Sequence, residues 1–193
     1  MVEKEEVRDQ IVEIARQIFS RYGFKKTTMD EIAQAARKGK SSIYYYFQSK
    51  EDIYKAVIEK EATLIQNELT KAISMADSPV DKLKAYLTVR MQTFTAMANF
   101  YEAIKNEFLT NLDFINKIRE KYDKDEVQMV ENLLREGVMQ NVFIIDNTEF
   151  AATAIVTAMK GIEVPLFKYK NQINLNDRIQ HLIEILFYGV IKR

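Results

Sequence analysis

A chain of 193 residues, 47% of them hydrophobic and 29% charged, has the composition of a globular protein of one or two domains. It contains no cysteine, which excludes a disulfide framework and a thiolate metal site and makes a cytoplasmic address the expectation. No run approaches the ~18 apolar residues of a membrane span, so no membrane partner is expected. Charge balances at 28 bases against 28 acids, yet Arg16 to Lys50 holds eight of the bases and two of the acids, leaving the rest of the chain acidic by six. A basic head on an acidic body suits a protein with one phosphate-facing surface.

Only 5 Gly and 2 Pro interrupt a chain in which apolar residues recur at steps of three and four, so an all-α fold is predicted. Val7, Ile11, Ile14, Ala15, Ile18, Phe19 and Tyr22 predict a first helix. It stops at Gly23, which can take the left-handed conformation that closes a helix, while Phe24 folds back on the end. Thr28 followed by Glu31 has the spacing of a capping box and opens a short second helix, Met29 to Ala36, with Met29, Ile32, Ala33 and Ala36 as its apolar stripe. Lys40, Ser41 and Ser42 then lead into a third short helix ending at Phe47, whose Ile43 and Phe47 can face inward together. Ser49 and Asp52 cap a long fourth helix that reaches about Ile73, and no flexible linker separates head from body.

The body starts at Ser78, Pro79 and Asp81, a cap, a proline in the first turn and an acid near the positive helix end. Helices are predicted at about Val80 to Ala98, Phe100 to Thr110, Phe114 to Gly137, Thr148 to Val164 and Asn176 to Ile191, with Pro165 ending or kinking the fourth of these. The final helix is apolar around its whole circumference and so must be buried on two sides, one of which a second subunit can supply. The helix before it carries small residues that permit close approach. Ala151, Ala154, Ile155, Ala158, Ile183, Phe187 and Val190 are therefore the expected seam of a homodimer built as a four-helix interface.

A helix-turn-helix reads duplex DNA by laying its second helix in the major groove. Met29 to Ala36 would be the supporting helix and Lys40 to Phe47 the reader. Arg37, Lys38 and Lys40 stand where cations meet phosphates, Gly39 and Ser41 keep the backbone small, and Ser41 and Ser42 can bond a phosphate or a base edge. Tyr44, Tyr45 and Tyr46 add rings tipped with hydroxyls, not all of which can face one groove.

The segments ARQIFSRYGFKKTTMDEIAQAA and SIYYYFQSKED, spanning Ala15 to Asp52, resemble the N-terminal signature of the tetracycline-repressor (TetR/AcrR) family of regulators. The resemblance implies that Thr28 and Lys50 hold phosphates and that Lys40, Ser41, Ser42, Tyr44, Tyr45 and Tyr46 lie on the DNA-facing part of the reader. The turn departs from the family pattern: Arg37, Lys38 and Gly39 replace a usual Gly-Val-Ser triplet, and Ser41 replaces a glycine. The resemblance further implies a head over residues 1–49 and a ligand-binding and dimerisation domain over 50–193. In the latter, a small hydrophobic or amphipathic effector would occupy a pocket and move the fourth helix. Met91, Phe94, Phe108, Phe143 and Met159 are the candidate lining, with Arg90, Glu102 and Lys105 adding polarity.

The expected function is a transcriptional repressor that binds an operator as a homodimer and is released by its effector, with no cofactor and no metal. A constellation for catalysis is missing: one histidine, no glycine-rich phosphate loop, no GxSxG and no HExxH. The competing expectation is a helical interaction protein whose head no longer selects DNA sequence.

Overall fold

The computed structural model describes residues 2–96 and 113–168, together with helical positions 177, 180, 181 and 183–185; of residues 2, 3, 94–96, 113–116, 119 and 162–168 it describes the backbone alone. Every regular element among the described residues is helical. They are α1 (Val2–Tyr22), α2 (Met29–Ala35), α3 (Lys40–Tyr46), α4 (Lys50–Ser74), α5 (Pro79–Ala96), α6 (Asp113–Met139) and α7 (Thr148–Lys168). The helix expected over Phe100 to Thr110, with Glu102, Lys105 and Phe108, lies outside these residues. So do Phe187, Val190 and the side chain of Phe94.

The ends of the helices follow local chemistry closely. α1 begins at Val2 rather than near Val7, its first turns carrying Glu3, Glu5 and Glu6, acids that suit the positive end of a helix. Gly23 takes φ 78° and its amide donates to the Phe19 carbonyl at 2.8 Å, closing α1 as its sequence requires. Ser49 and Ser78 accept hydrogen bonds from the amides of Asp52 and Asp81, each at 3.1 Å, and start α4 and α5. Asn147 does the same for α7, receiving the Phe150 amide at 2.8 Å. One expectation is corrected: α7 does not stop at Pro165 but continues to Lys168. The carbonyl that Pro165 leaves without a helical donor belongs to Gly161, which is exposed, so water can take the place of the missing amide.

Two compact units divide the chain. The first takes in Met1–Leu64 and the start of α6, and the second Ile65–Ala96 and the residues from Arg119 onward. The division thus falls inside α4 rather than at its beginning. Its first half is committed to the head: Ile53, Tyr54, Val57 and Ile58 are fully buried there. The centre of that core is a triangle of rings. Phe19 meets Tyr54 edge-on at 5.1 Å, Phe24 lies 4.7 Å from Tyr54, and Phe19 and Phe24 are 5.8 Å apart. Ile11, Ala15, Ile32, Ile43 and Phe47 complete it.

The second unit is organised differently. Leu83, Tyr86, Leu87 and Met91 of α5 and Ala152, Val156 and Met159 of α7 are buried where those two helices pack, with Val130, Leu133 and Leu134 of α6. Within that core lie charged groups. Arg90 is 5% exposed, and its Nε donates to Glu126 Oε1 at 2.6 Å; the same oxygen accepts the Tyr86 hydroxyl at 2.7 Å. Arg90 is therefore bound up in the packing of α5 on α6.

Candidate nucleic-acid interface

The supporting helix starts from a complete capping box. Thr28 Oγ1 accepts the Glu31 amide at 3.3 Å, and the Thr28 amide donates to Glu31 Oε2 at 2.7 Å. Thr28 is exposed while Thr27, just before it, is buried and donates its hydroxyl to the Gly23 carbonyl at 2.9 Å. The α1–α2 turn is thus tied down at both ends, and Thr28 opens toward solvent beside Asp30 and Glu31.

The turn between α2 and α3 closes as a Schellman motif: the Lys38 amide donates to the Ala33 carbonyl at 3.0 Å and the Arg37 amide to Gln34 at 3.1 Å. Such a motif needs a left-handed residue after the helix cap, a place that glycine occupies without strain. Here Arg37 fills it, at φ 52°. Gly39, two residues on, sits at φ −66°, which any residue adopts, and a Cβ there would have only Ser41 Oγ near it, at 3.9 Å. Glycine is therefore not demanded by the backbone at position 39 and leaves an open approach to the start of α3.

On α3 only Ile43 is fully buried, and with Phe47 just past its end it anchors the reader to the core. The opposite face is outward. Lys38, Gly39, Lys40 and Ser41 are exposed, Ser42 and Tyr46 half-buried, and Tyr44 and Tyr45 exposed by 44% and 66%. Two of the three tyrosines thus lead outward, and Tyr46 meets Tyr45 edge-on at 5.1 Å. Lys40 is not loose: its ammonium pairs with Asp30 at 2.8 Å, which raises its pKa, the hydrogen bond to Asp30 being the largest cause. The pair joins the first turn of the reader to the first turn of the supporting helix.

Two cations that helical spacing alone does not bring beside α3 come from α1. Lys4 Nζ stands 4.6 Å from the Tyr45 ring centre, and the Arg8 guanidinium 4.9 Å from that of Phe47. Their separation of four residues puts both on one side of α1, a legible signal, but which side meets α3 is set by the packing. Lys50, expected at a phosphate, points inward to two backbone carbonyls. The candidate pocket residues Met91 and Met159 are buried on packed helices, and Phe143 is half-buried with its ring against Gly137, where a Cβ would collide with it. Of the expected seam, Ala154 and Ala158 are exposed on α7 and Ala151 and Ile155 half-buried, while Ile183 is buried within its own chain and the exposed apolar side chain beside it is Ile185.

An all-helical chain whose first unit presents a short cationic helix behind a capped supporting helix is a helix-turn-helix protein. Residues 11–57 match the family model of bacterial regulatory proteins, tetR family. Two relatives are the HTH-type transcriptional regulator QacR of Staphylococcus aureus, 23% identical over 90% of this chain and 91% of its own, and the HTH-type transcriptional repressor KstR2 of Mycolicibacterium smegmatis, 27% identical over 70% and 67%. The fold resembles that of the regulator FadR of Bacillus subtilis, solved in complex with stearoyl-CoA, with a TM-score of 0.75, 19% identity and coverage of 94% and 98%. The head is thus a tetR-type DNA-binding domain, and the chain resembles DNA-binding transcription regulators along most of its length.

Proposed function

We propose that the chain represses transcription by binding an operator as a homodimer through α3, and that a small amphipathic effector held in the second unit releases it. The observation that carries this reading is the outward face of α3. It is a row of Lys38 and Gly39 in the turn and Lys40, Ser41, Tyr44 and Tyr45 on α3, all exposed, with Ile43 and Phe47 holding the helix from behind. Cations and hydroxyls there answer phosphates, and the tyrosines reach base edges. Thr28, Ser42 and Tyr46 border this face.

Dimerisation is supported by the exposed small residues Ala154, Ala158 and Gly161 along one side of α7, where a second copy of the chain can approach closely. Two readers must then lie about 34 Å apart, or a multiple of that, to dock together. α4 continues unbroken from Lys50, beside the reader domain, to Ser74 in the second unit, and is the natural element for an effector to shift. Met91 and Met159 supply adaptable apolar surface for it. The acyl-CoA bound by the B. subtilis relative makes a long-chain acyl-CoA the first effector to try.

The test selects duplexes from a randomised pool and measures affinity for the winner and for random DNA at several salt concentrations. A dimeric protein that enriches a two-fold symmetric site is expected. Lys38→Ala with Lys40→Ala should weaken binding to every duplex and lower the salt slope by about 2, whereas Tyr45→Ala should change the preferred sequence. A monomer that enriches nothing would overturn the reading in favour of a helical interaction protein.

A further inference from the structure

Lys50 is the first residue of α4, and its position there runs against electrostatics, since a cation at a helix N-terminus meets the positive end of the helix dipole. Its ammonium is instead spent inside the head. Nζ donates to the Phe24 carbonyl and to the Thr27 carbonyl, each at 2.8 Å, and lies 4.3 Å from the centre of the Phe24 ring. These contacts bridge more than twenty residues of sequence. Both carbonyls belong to the α1–α2 turn, and Thr27 immediately precedes the cap of the supporting helix. With two of its three N–H groups so engaged, the side chain is a strut between the start of α4 and the start of α2.

We propose that Lys50 is a positioning residue. It ties α4 to the α1–α2 turn and thereby sets the pose in which α2 and the reader packed on it meet DNA, rather than acting as a phosphate contact. Charge-assisted bonds to two carbonyls hold direction as well as distance, which apolar packing of Phe24 on Tyr54 alone does not. Any shift of α4 is then passed to the supporting helix through this side chain as well as through the packing of Phe24 on Tyr54. The inference rests on the reading of α3 as the DNA-reading helix, but part of its test needs no DNA.

Lys50→Met removes every donor, and Lys50→Gln keeps a neutral donor on a side chain one bond shorter while removing the charge. Affinity for the selected duplex is expected to fall about tenfold in Lys50→Met and less in Lys50→Gln. Affinity for random duplex and the salt slope of both variants should stay as in the unmodified protein. A phosphate contact predicts the reverse: a slope lowered by about 0.9 in both variants, with selected and random duplexes weakened alike. A purely structural role predicts lower thermal stability with the ratio of selected to random affinity intact. Either result would overturn the proposal. In the free protein, amide exchange at Thr28, Glu31 and Ile32 should quicken in Lys50→Met, and unchanged exchange there also counts against it. Should Lys50→Met fail to fold, Lys50→Gln carries the same readouts. Loss of the broader reading would look different, as unmodified protein that selects no duplex while the exchange effect persists.

Discussion

The outward face at α3 in the head and the packing of α5 on α6 in the second unit use the same charged residue types in opposite ways. In the head, Arg37, Lys38 and Lys40 stand on the outside of a small apolar core, and one of them is held in a backbone conformation that costs stability. Between α5 and α6 of the second unit, charges turn toward each other instead. Arg90 and Glu126 meet in a core where both are nearly buried, and Lys82 pairs with Glu136 at 2.7 Å across two helices. The contrast teaches that position relative to the apolar core, not residue type, decides whether a charge serves a partner or the fold. An exposed cation keeps its hydration until a polyanion replaces it, whereas a buried one must find its counter-charge within the chain.

The largest effect that can break this comparison lies in the second unit. Glu126→Leu takes the carboxylate away from a buried guanidinium and from the Tyr86 hydroxyl, and should cost about 3–5 kcal/mol in denaturant unfolding. Combined with Arg90→Met, most of that loss should return, because an apolar pair of similar volume suits the site. If the single change is harmless, the inward charges are not structural.

A smaller effect, of opposite sign, sharpens the picture of the head. Arg37→Gly relieves the left-handed strain and should stabilise the protein by about 1 kcal/mol. At the same time it should weaken binding to all duplexes and lower the salt slope by about 0.9. Higher stability without any change in slope would mean that the arginine is strained to no purpose in DNA binding.

The smallest effect concerns a partly exposed charge cluster between α1 and α4. Arg16, donating to Glu13 at 2.7 Å, holds the Glu13 carboxyl at a pKa of about 2, with Lys60 at 2.9 Å assisting. A carboxyl with a lowered folded-state pKa stabilises above its unfolded value and loses that contribution as pH falls toward the folded value. The difference in melting temperature between the unmodified protein and Glu13→Gln should therefore be full at pH 6 and vanish between about pH 4.5 and 2. Partial exposure of the pair keeps the difference small, and one that persists at pH 2 would remove Glu13 as its cause.

Much of the head was legible in the order of its residues. Gly23, the Thr28 and Glu31 pair, Ser49 with Asp52 and the burial of Ile43 and Phe47 all concern partners within a few positions of each other. Helix caps and i, i+4 faces are written in that range, so spacing alone identifies them. The basic head and the helical signature shared with the TetR family belong to the same local information.

Contacts between residues distant along the chain were settled by packing. Tyr54, which combines a hydroxyl with an apolar ring, gave no signal of its place at the centre of the head core. Lys50 lies within a stretch of cations and could equally have faced DNA, but the turn carrying Phe24 and Thr27 folds to within 2.8 Å of its ammonium. Arg90 and Glu126 are 36 residues apart, and their union depends on how α5 lies on α6. Local sequence thus determined the caps and turns of the head and where its cations cluster. Only the tertiary structure decided which of those charges remain available to a partner, because that depends on the backbone and side chains that other helices bring alongside.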